Sequence, residues 1–263
     1  MLAGESAFSR RDYTEALKAY AKALELEPTN YPATLFTGNT YDRKNDVAKA
    51  GEWYERAIQL SPNVETAYRY YADPKTGDMG KARTLLIQAA VAEPYNKIVW
   101  REIRAWATAD NTAFNIVYVG VPPPPKNDDP IANAEQSQGV SSAWQAYHSV
   151  RADWEKGGRF QRRFPREAEY RHSLPEESEG LTAAAKVLQT LRQDQKSAEW
   201  VTGSTVAALL LKLDDAGLIE PYVLFSLGDD GIVRDFKAYR AANRSKLQEY
   251  MDKFVMPPAP AGQ

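Results

Sequence analysis

Small and aromatic apolar residues recur in the first part of the chain at a spacing longer than one helix explains. A segment ending at Pro28 repeats at Pro62 with every apolar position shifted by 34 residues, and a third copy ending at Pro94 follows at a shift of 32. The shared positions are Ala16, Tyr20, Ala23, Leu26 and Pro28, then Ala50, Tyr54, Ala57, Leu60 and Pro62, then Ala82, Leu86, Ala89, Ala92 and Pro94. Helical periodicity alone does not produce a constant long shift, so the pattern predicts repeated structural units.

The residue types at these positions predict pairs of closely packed helices. Alanine allows neighbouring helices to approach, and the larger Tyr20, Tyr54 and Leu86 fill the gap between them. Proline ends each second helix, because it cannot continue the helical hydrogen bonds. A single pair leaves its apolar face in water, so about three units are needed for a stable stack.

The second copy carries the pattern of a known repeat family. Its marked positions are Gly38 and Tyr41 on a first helix, Ala50, Tyr54 and Ala57 on a second helix, and Pro62 at the end. This spacing resembles the tetratricopeptide repeat, a helix-turn-helix unit. Thr34 and Thr37 stand where the family usually has Trp and Leu, and Trp100 restores the Trp at the start of a further first helix. The resemblance implies an all-α array over residues 1–110, with repeats at about 1–30, 31–64 and 65–96 and a terminal helix at 97–110.

The register of the repeats also bears on the start of the chain. Counting back 34 residues from Tyr31 places the first position of the first repeat before Met1. We therefore expect the leading four positions of its first helix to be missing. Trimming of the chain and a ragged natural start are both consistent with this register.

The resemblance implies that the first helices line a concave groove, which binds a partner protein or peptide. The expected groove residues are Leu35, Asn39, Asp42, Arg43, Arg69, Asp73 and Arg101. Asn39 and Arg69 match two positions of the family's clamp for a partner's terminal carboxylate, whereas Glu5 and Asp73 depart from it. We therefore expect an extended peptide of mixed charge instead of a carboxyl-terminal tail. The alternative is that these side chains are solvated or covered by the second half of the chain.

A change of composition after Asp110 predicts a linker at residues 111–140. The four prolines of Pro122–Pro125 favour an extended polyproline II spacer, and polar, turn-forming residues follow them. A ligand for an aromatic-lined groove is the less common role of such a run. The β-branched run Ile116–Val119 is compatible with a short strand.

Helical periodicity returns at residues 141–256, where we expect a second α-helical domain, followed by a flexible tail at 257–263. The predicted helices begin at Ser141 and near Ser173, with two more at Ser204–Ala216 and Glu220–Leu227. A last helix carries one apolar stripe of Phe236, Tyr239, Leu247, Tyr250 and Phe254. Their apolar stripes are expected to pack on one another and on the last repeat, and docking of another helix is the alternative. Residues 111–263 show no family resemblance.

Composition excludes several classes of site. Lys and Arg number 33 against 35 Asp and Glu, a net charge of -2 that gives no general attraction to nucleic acid, so no nucleic-acid partner is expected. The chain has no cysteine and two histidines, which rules out disulfides, cysteine-ligated metals and a three-histidine zinc site. The longest apolar run, Val206–Leu211, is far shorter than the roughly 20 residues of a membrane helix, and no signal peptide is visible. We expect a soluble protein of undetermined compartment.

No short motif with a known mechanism occurs in the chain, so no cofactor, metal or catalytic residue is assigned. His148 and His172 are general-base candidates, but a structural role is far more frequent for an isolated histidine. Five arginines from Arg159 to Arg171, interleaved with aromatic residues, are typical of phosphate contact with stacking. Glutamates interrupt them, so a solvated loop or an internal anchor for Glu176 and Glu177 is the preferred interpretation.

These observations favour a non-enzymatic scaffold for protein-protein interaction. The alternative is an enzyme of unrecognised class, with a helical catalytic domain at residues 141–256 and repeats that recruit the substrate. A catalytic domain should contain a concave pocket with titratable residues of shifted pKa, and that feature would separate the two hypotheses.

Limited proteolysis should cut the chain first between Lys126 and Gln138, because the proline run and the polar stretch after it are expected to expose their backbone. Mass spectrometry of the earliest fragments measures this directly. First cleavage within Trp144–Trp154 would contradict the proposed linker.

Overall fold

The computed structural model describes residues 1–72, 78–122, 140–194 and 197–258, and every regular element in these ranges is helical. The earlier helices are α1 (Leu2–Ser9), α2 (Tyr13–Leu26), α3 (Tyr31–Arg43), α4 (Val47–Leu60), α5 (Glu65–Tyr71), α6 (Met79–Ala92) and α7 (Lys97–Ala109). The later ones are α8 (Val140–Lys156), α9 (Arg159–Arg163), α10 (Leu174–Gln193), α11 (Ala198–Gly203), α12 (Thr205–Asp215), α13 (Ile219–Ser226), α14 (Asp230–Val233) and α15 (Phe236–Tyr250), followed by a π-helical turn, Met251–Val255. The predicted all-α fold class is confirmed.

The chain forms two compact units. The first unit is Met1–Asn115 together with the chain from Met251 onward, and the second is Ile116–Tyr250. The expected domains ended at residues 110 and 256. The final turn nevertheless belongs to the first unit, because Arg83 donates hydrogen bonds to the carbonyl oxygens of Asp252 and Met256 and pairs with the Asp252 carboxylate.

In the first unit each helix from α1 to α7 packs against the next, which is the repeated helix-turn-helix arrangement. The second helix of each repeat begins at an aspartate, and Asp12, Asp46 and Asp78 each accept a hydrogen bond from the amide three residues on. Such a cap contributes about 1 kcal/mol to the stability of a helix. These aspartates are 34 and 32 residues apart, so helix initiation follows the same period as the apolar positions.

The threonines that depart from the repeat pattern are buried with their hydroxyls satisfied. Thr34 Oγ1 donates to the carbonyl oxygen of Asn30, and Thr37 Oγ1 donates to that of Ala33. A buried hydroxyl without a partner costs roughly 1 to 3 kcal/mol. The bonds to the preceding turn therefore allow small polar residues where the family usually has large apolar ones.

The segment Ile116–Val119 forms no strand. The amide of Val119 donates to the hydroxyl of Tyr222 over 2.8 Å, and the Val119 side chain is buried, so this part of the expected linker is anchored to the second unit. A lone chain segment without a partner strand cannot build a sheet ladder. Residues 123–139 of the expected linker lie outside the described residues.

The second unit is organised around α10, which packs against α8, α11, α12 and α13. Its core contains Trp154, Leu181, Leu188, Leu210 and Tyr222, all nearly or fully buried. The five predicted helices occur within a few residues of their expected positions, although α8 begins one residue before Ser141. The short helices α9, α11 and α14 had no counterpart among the predictions, since fewer than two turns show no periodicity.

The start of α10 holds two buried carboxylates, Glu176 and Glu177. Arg151 contacts both of them, with Nε 2.6 Å from Glu176 Oε1 and Nη1 2.7 Å from Glu177 Oε2. Tyr147 also donates its hydroxyl proton to Glu177, and His172 Nε2 lies 2.9 Å from the same carboxylate. These contacts compensate the burial of two charges at one helix end.

Neither Arg159 nor Arg171 is the internal anchor expected for Glu176 and Glu177. Arg171 pairs with Asp235 over 2.7 Å and with Glu167 over 2.8 Å, and Arg159 pairs with Glu179 over 2.9 Å. The anchor is Arg151, because it lies on α8, which packs along α10.

Among the described helices none is long and apolar enough to cross a membrane.

The cluster around His172 makes the stability of the second unit depend on pH. Burial lowers the pKa of His172, but hydrogen bonds to Glu177 and Asp229 outweigh it and raise the pKa above its ordinary 6.5. Burial raises the pKa of Glu177, but His172, Tyr147 and Arg151 lower it below its ordinary 4.5. A histidine whose pKa is raised by folding stabilises the fold fully at pH values below the pKa that it has in the unfolded chain. A carboxyl group whose pKa is lowered by folding stabilises the fold fully at pH values above its unfolded pKa.

The free energy of unfolding should therefore be highest between about pH 4.5 and 6.5 and should decline as the pH rises through the folded pKa of His172. Urea unfolding at a series of pH values, followed by tryptophan fluorescence, measures this. His172→Gln should remove the decline above pH 6.5, and His148→Gln should retain it. Parallel curves for the wild type and His172→Gln would contradict the assignment.

Candidate functional site

The first unit contains a cavity of about 490 Å³ against the first helices of its repeats. Side chains of α1, α3, α5 and α7 line it, with additional contributions from the second helices α4 and α6. The lining residues are Phe8, Phe36, Asn39, Asp42, Arg43, Tyr54, Arg69, Tyr70, Ala72, Leu86, Glu102, Ala105 and Trp106. A cavity of this size accommodates one or two side chains of a bound peptide.

Four of the seven expected groove residues line this cavity, namely Asn39, Asp42, Arg43 and Arg69. Leu35 does not, because its side chain packs in the core with Ala50 and Tyr54. Arg101 is 73% exposed and lies outside the cavity wall. Asp73 lies outside the described residues.

Arg69 is the most constrained charged group of the cavity. It forms ion pairs with Glu65 and with Glu102, the second over 2.8 Å, and its side chain is only 9% exposed. Burial lowers the pKa of Arg69, but the hydrogen bonds and charges of Glu65 and Glu102 raise it overall. Glu65 also accepts a hydrogen bond from Asn96 Nδ2 over 2.8 Å. The guanidinium is therefore an internal cation between α5 and α7.

Asn39 is held in one orientation by the core. Its Oδ1 accepts a hydrogen bond from the hydroxyl of Tyr54 over 2.9 Å. The Nδ2 group has no partner among the described residues and lies on the cavity wall. Because its acceptor atom is already bonded, Asn39 presents a donor to anything that enters the cavity.

Aromatic side chains form much of the remaining wall. Phe8 and Phe36 meet edge to face with ring centroids 6.4 Å apart, and Trp106 donates its indole proton to the carbonyl oxygen of Met79. Sequence reasoning missed this wall. The signal was present, since Phe36, Tyr70 and Glu102 occupy the same repeat position, one residue after the position taken as groove-lining.

The second unit has a groove of about 490 Å³ between α8, α10 and the α12–α13 region. Its titratable lining residues are Arg159, Glu179, Lys186, Asp214 and Glu220. Burial and the charge of Asp215 raise the pKa of Asp214 above its ordinary value. His172 lies outside this groove and contacts the carboxylates of Asp229 and Glu177. Within the described ranges no histidine contacts a serine or threonine hydroxyl, and no group of side chains suited to a metal ion occurs.

The first part of the chain matches a known family. A model described as tetratricopeptide repeat covers residues 1–65. Two proteins of Drosophila melanogaster, the protein O-mannosyl-transferases Tmtc2 and Tmtc1, are 34% and 32% identical to this chain over 64 and 71 residues. The photosystem I assembly protein Ycf3 of Cyanophora paradoxa is 34% identical over 99 residues.

These similarities are partial on both sides. They cover 24%, 27% and 33% of this chain, in the same order, and 7%, 8% and 57% of the relatives. The chain thus spans less than two thirds of each relative. The prediction of a tetratricopeptide-repeat segment is confirmed over residues 1–65, and the activities in the relatives' names remain properties of those proteins.

Arg69→Met should lower the free energy of unfolding by about 3 to 5 kcal/mol, because it leaves the buried carboxylate of Glu65 without its cation. Arg101→Met is the matched control at the same repeat position and should cost less than about 1 kcal/mol, since Arg101 is largely exposed. Urea unfolding followed by circular dichroism compares the two. Equal losses would show that the Arg69 ion pairs do not hold α5 to α7.

Proposed function

We propose that this chain, in which residues 1–65 form a tetratricopeptide-repeat segment, is a scaffold that binds an extended segment of a partner protein in the cavity of its first unit. A role in protein interaction in general is supported by the repeats themselves. The observation that carries the finer proposal is the cavity of about 490 Å³, which first helices of all the repeats line together.

The chemistry of the cavity wall suits a peptide. Aromatic residues such as Phe36, Tyr70 and Trp106 offer the apolar contact that dominates the binding energy of most interfaces. The donor of Asn39 is placed to bond a backbone carbonyl of an extended chain, which cannot satisfy its own polar groups. Together they provide an anchor for a side chain and a contact for the main chain beside it.

The names of the relatives are consistent with such a role without defining a partner. One relative is named as an assembly protein for photosystem I, and its similarity extends over 33% of this chain. Assembly requires transient binding of other proteins. We extend only this general mode of action to the present chain.

The catalytic alternative rests on the groove of the second unit and on the raised pKa of Asp214. Asp214 accepts a hydrogen bond from Gln189 over 2.8 Å, which is a structural contact. A general acid or base needs a reacting partner within hydrogen-bond reach. The binding role is therefore the better-supported function.

Selection of phage-displayed linear peptides against the full chain, followed by fluorescence anisotropy with the selected peptides, tests the proposal. Tyr70→Ala should weaken binding about tenfold or more, because it removes an aromatic anchor from the cavity wall. Tyr95→Ala is the matched control, since Tyr95 is 39% exposed against 40% for Tyr70 and does not line the cavity.

The control variant should bind within about twofold of the wild type, a change well below 1 kcal/mol. Thermal unfolding of both variants verifies that they fold. Equal effects of Tyr70→Ala and Tyr95→Ala, or selection of no peptide at all, would contradict binding in this cavity.

A further inference from the structure

We propose that the cavity of the first unit selects a lysine or arginine side chain next to an apolar residue, within an internal segment of the partner, and disfavours a terminal carboxylate. This inference rests on the proposed function, since it specifies the peptide that the same cavity would bind. It follows from the way in which the charged groups of the wall are already paired.

The positive charge that a carboxylate would need is neutralised inside the protein. Arg69 stands at the position that the family resemblance assigns to a carboxylate clamp, but Glu65 and Glu102 both pair with it. The three groups carry a net charge of -1, and the guanidinium is 9% exposed. A bound carboxylate would have to displace one of these two partners, which would leave a poorly solvated charge unpaired.

The wall instead presents acceptors for a cation. Glu102 is 31% exposed, and its contacts with Arg69 and Arg101 both use Oε1. Asp42 lies on the same wall and has no side-chain partner in the described part of the chain. The two carboxylates share the wall with Phe8, Tyr70 and Trp106, and the guanidinium of Arg69 already lies over the ring of Tyr70. Carboxylates and aromatic rings on one wall favour a partner's ammonium or guanidinium group, because both attract cations.

One cation of the wall is available to the solvent. Arg43 is exposed at the end of α3, directly after Asp42. The charged residues that line the cavity are Asp42 and Glu102 against Arg43 and Arg69, which sum to zero, and Arg69 is also neutralised by Glu65 outside the lining. Since Arg69 is already paired with two carboxylates, the carboxylate of Asp42 favours a basic side chain in the cavity, while Arg43 can pair with an acidic residue further along the partner.

Three fluorescein-labelled peptides of equal length and equal apolar composition test this selection by anisotropy. The first has blocked ends and a lysine beside a phenylalanine, the second replaces that lysine with glutamate, and the third replaces it with glutamine and ends in a free carboxylate. We expect the lysine peptide to bind the full chain at least about tenfold more tightly than either of the others. Raising the salt concentration should reduce this preference.

Charge variants connect the preference to the wall. Asp42→Lys should reverse the order of the lysine and glutamate peptides, and Glu102→Gln should reduce the preference while keeping an acceptor for Arg69. Glu52→Lys is the control, because Glu52 is exposed on α4 outside the cavity. It changes the net charge as Asp42→Lys does and should leave the order of the peptides unchanged.

The outcomes separate this inference from the proposed function. Tighter binding of the glutamate or free-carboxylate peptide, with Tyr70→Ala still weakening it, would overturn the inference and leave the cavity as the binding site. If Glu52→Lys alters the peptide preference as much as Asp42→Lys does, the inference is also overturned, because the overall charge of the protein would then be the cause. If none of the three peptides binds saturably, the inference fails, and the peptide selection decides separately whether the cavity binds peptides.

Discussion

The first unit depends on the packing of a tyrosine ring against a residue that has no side chain. A Cβ atom on Gly38 would lie 2.8 Å from the ring of Tyr54, and one on Gly4 would clash with the ring of Tyr20. Both tyrosines are buried, and both pairs are separated by the same number of residues along the chain. In these two repeats the tyrosine ring of the second helix can therefore lie against the first helix only because glycine occupies this position.

This packing also determines the chemistry of the candidate site. The ring of Tyr54 lies over Gly38, and its hydroxyl reaches Oδ1 of the next residue, Asn39. Tyr20 stacks on Phe36 with ring centroids 6.0 Å apart. Phe36 lines the cavity and Tyr20 does not, so the buried tyrosine fixes the position of an aromatic residue in the cavity wall. The residues that hold the helices together are thus the ones that orient the groups available to a ligand.

The second unit is held by apolar packing along α10 and, at the start of that helix, by buried charges. Arg151 on α8 and the loop residue His172 contact Glu177, while Arg171 contacts Asp235 just before α15. Buried ion pairs contribute little net stability compared with apolar contacts, but removing one partner is costly. The network therefore specifies which segments meet at the N-terminal end of α10.

The sequence by itself determined the repeat, because period, small residues, aspartate caps and prolines are local features that recur at fixed shifts. It also located the long helices of the second unit, whose apolar periodicity is strong. Only the tertiary structure decided what each repeat position does. Leu35, Arg69 and Arg101 share one register, yet they lie in the core, in an internal ion pair and in solvent. Charge pairing and main-chain hydrogen bonding depend on residues distant in the chain, such as Glu102 for the guanidinium of Arg69 and the carbonyl of Val255 for the amide of Asn115. No local pattern encodes those partners.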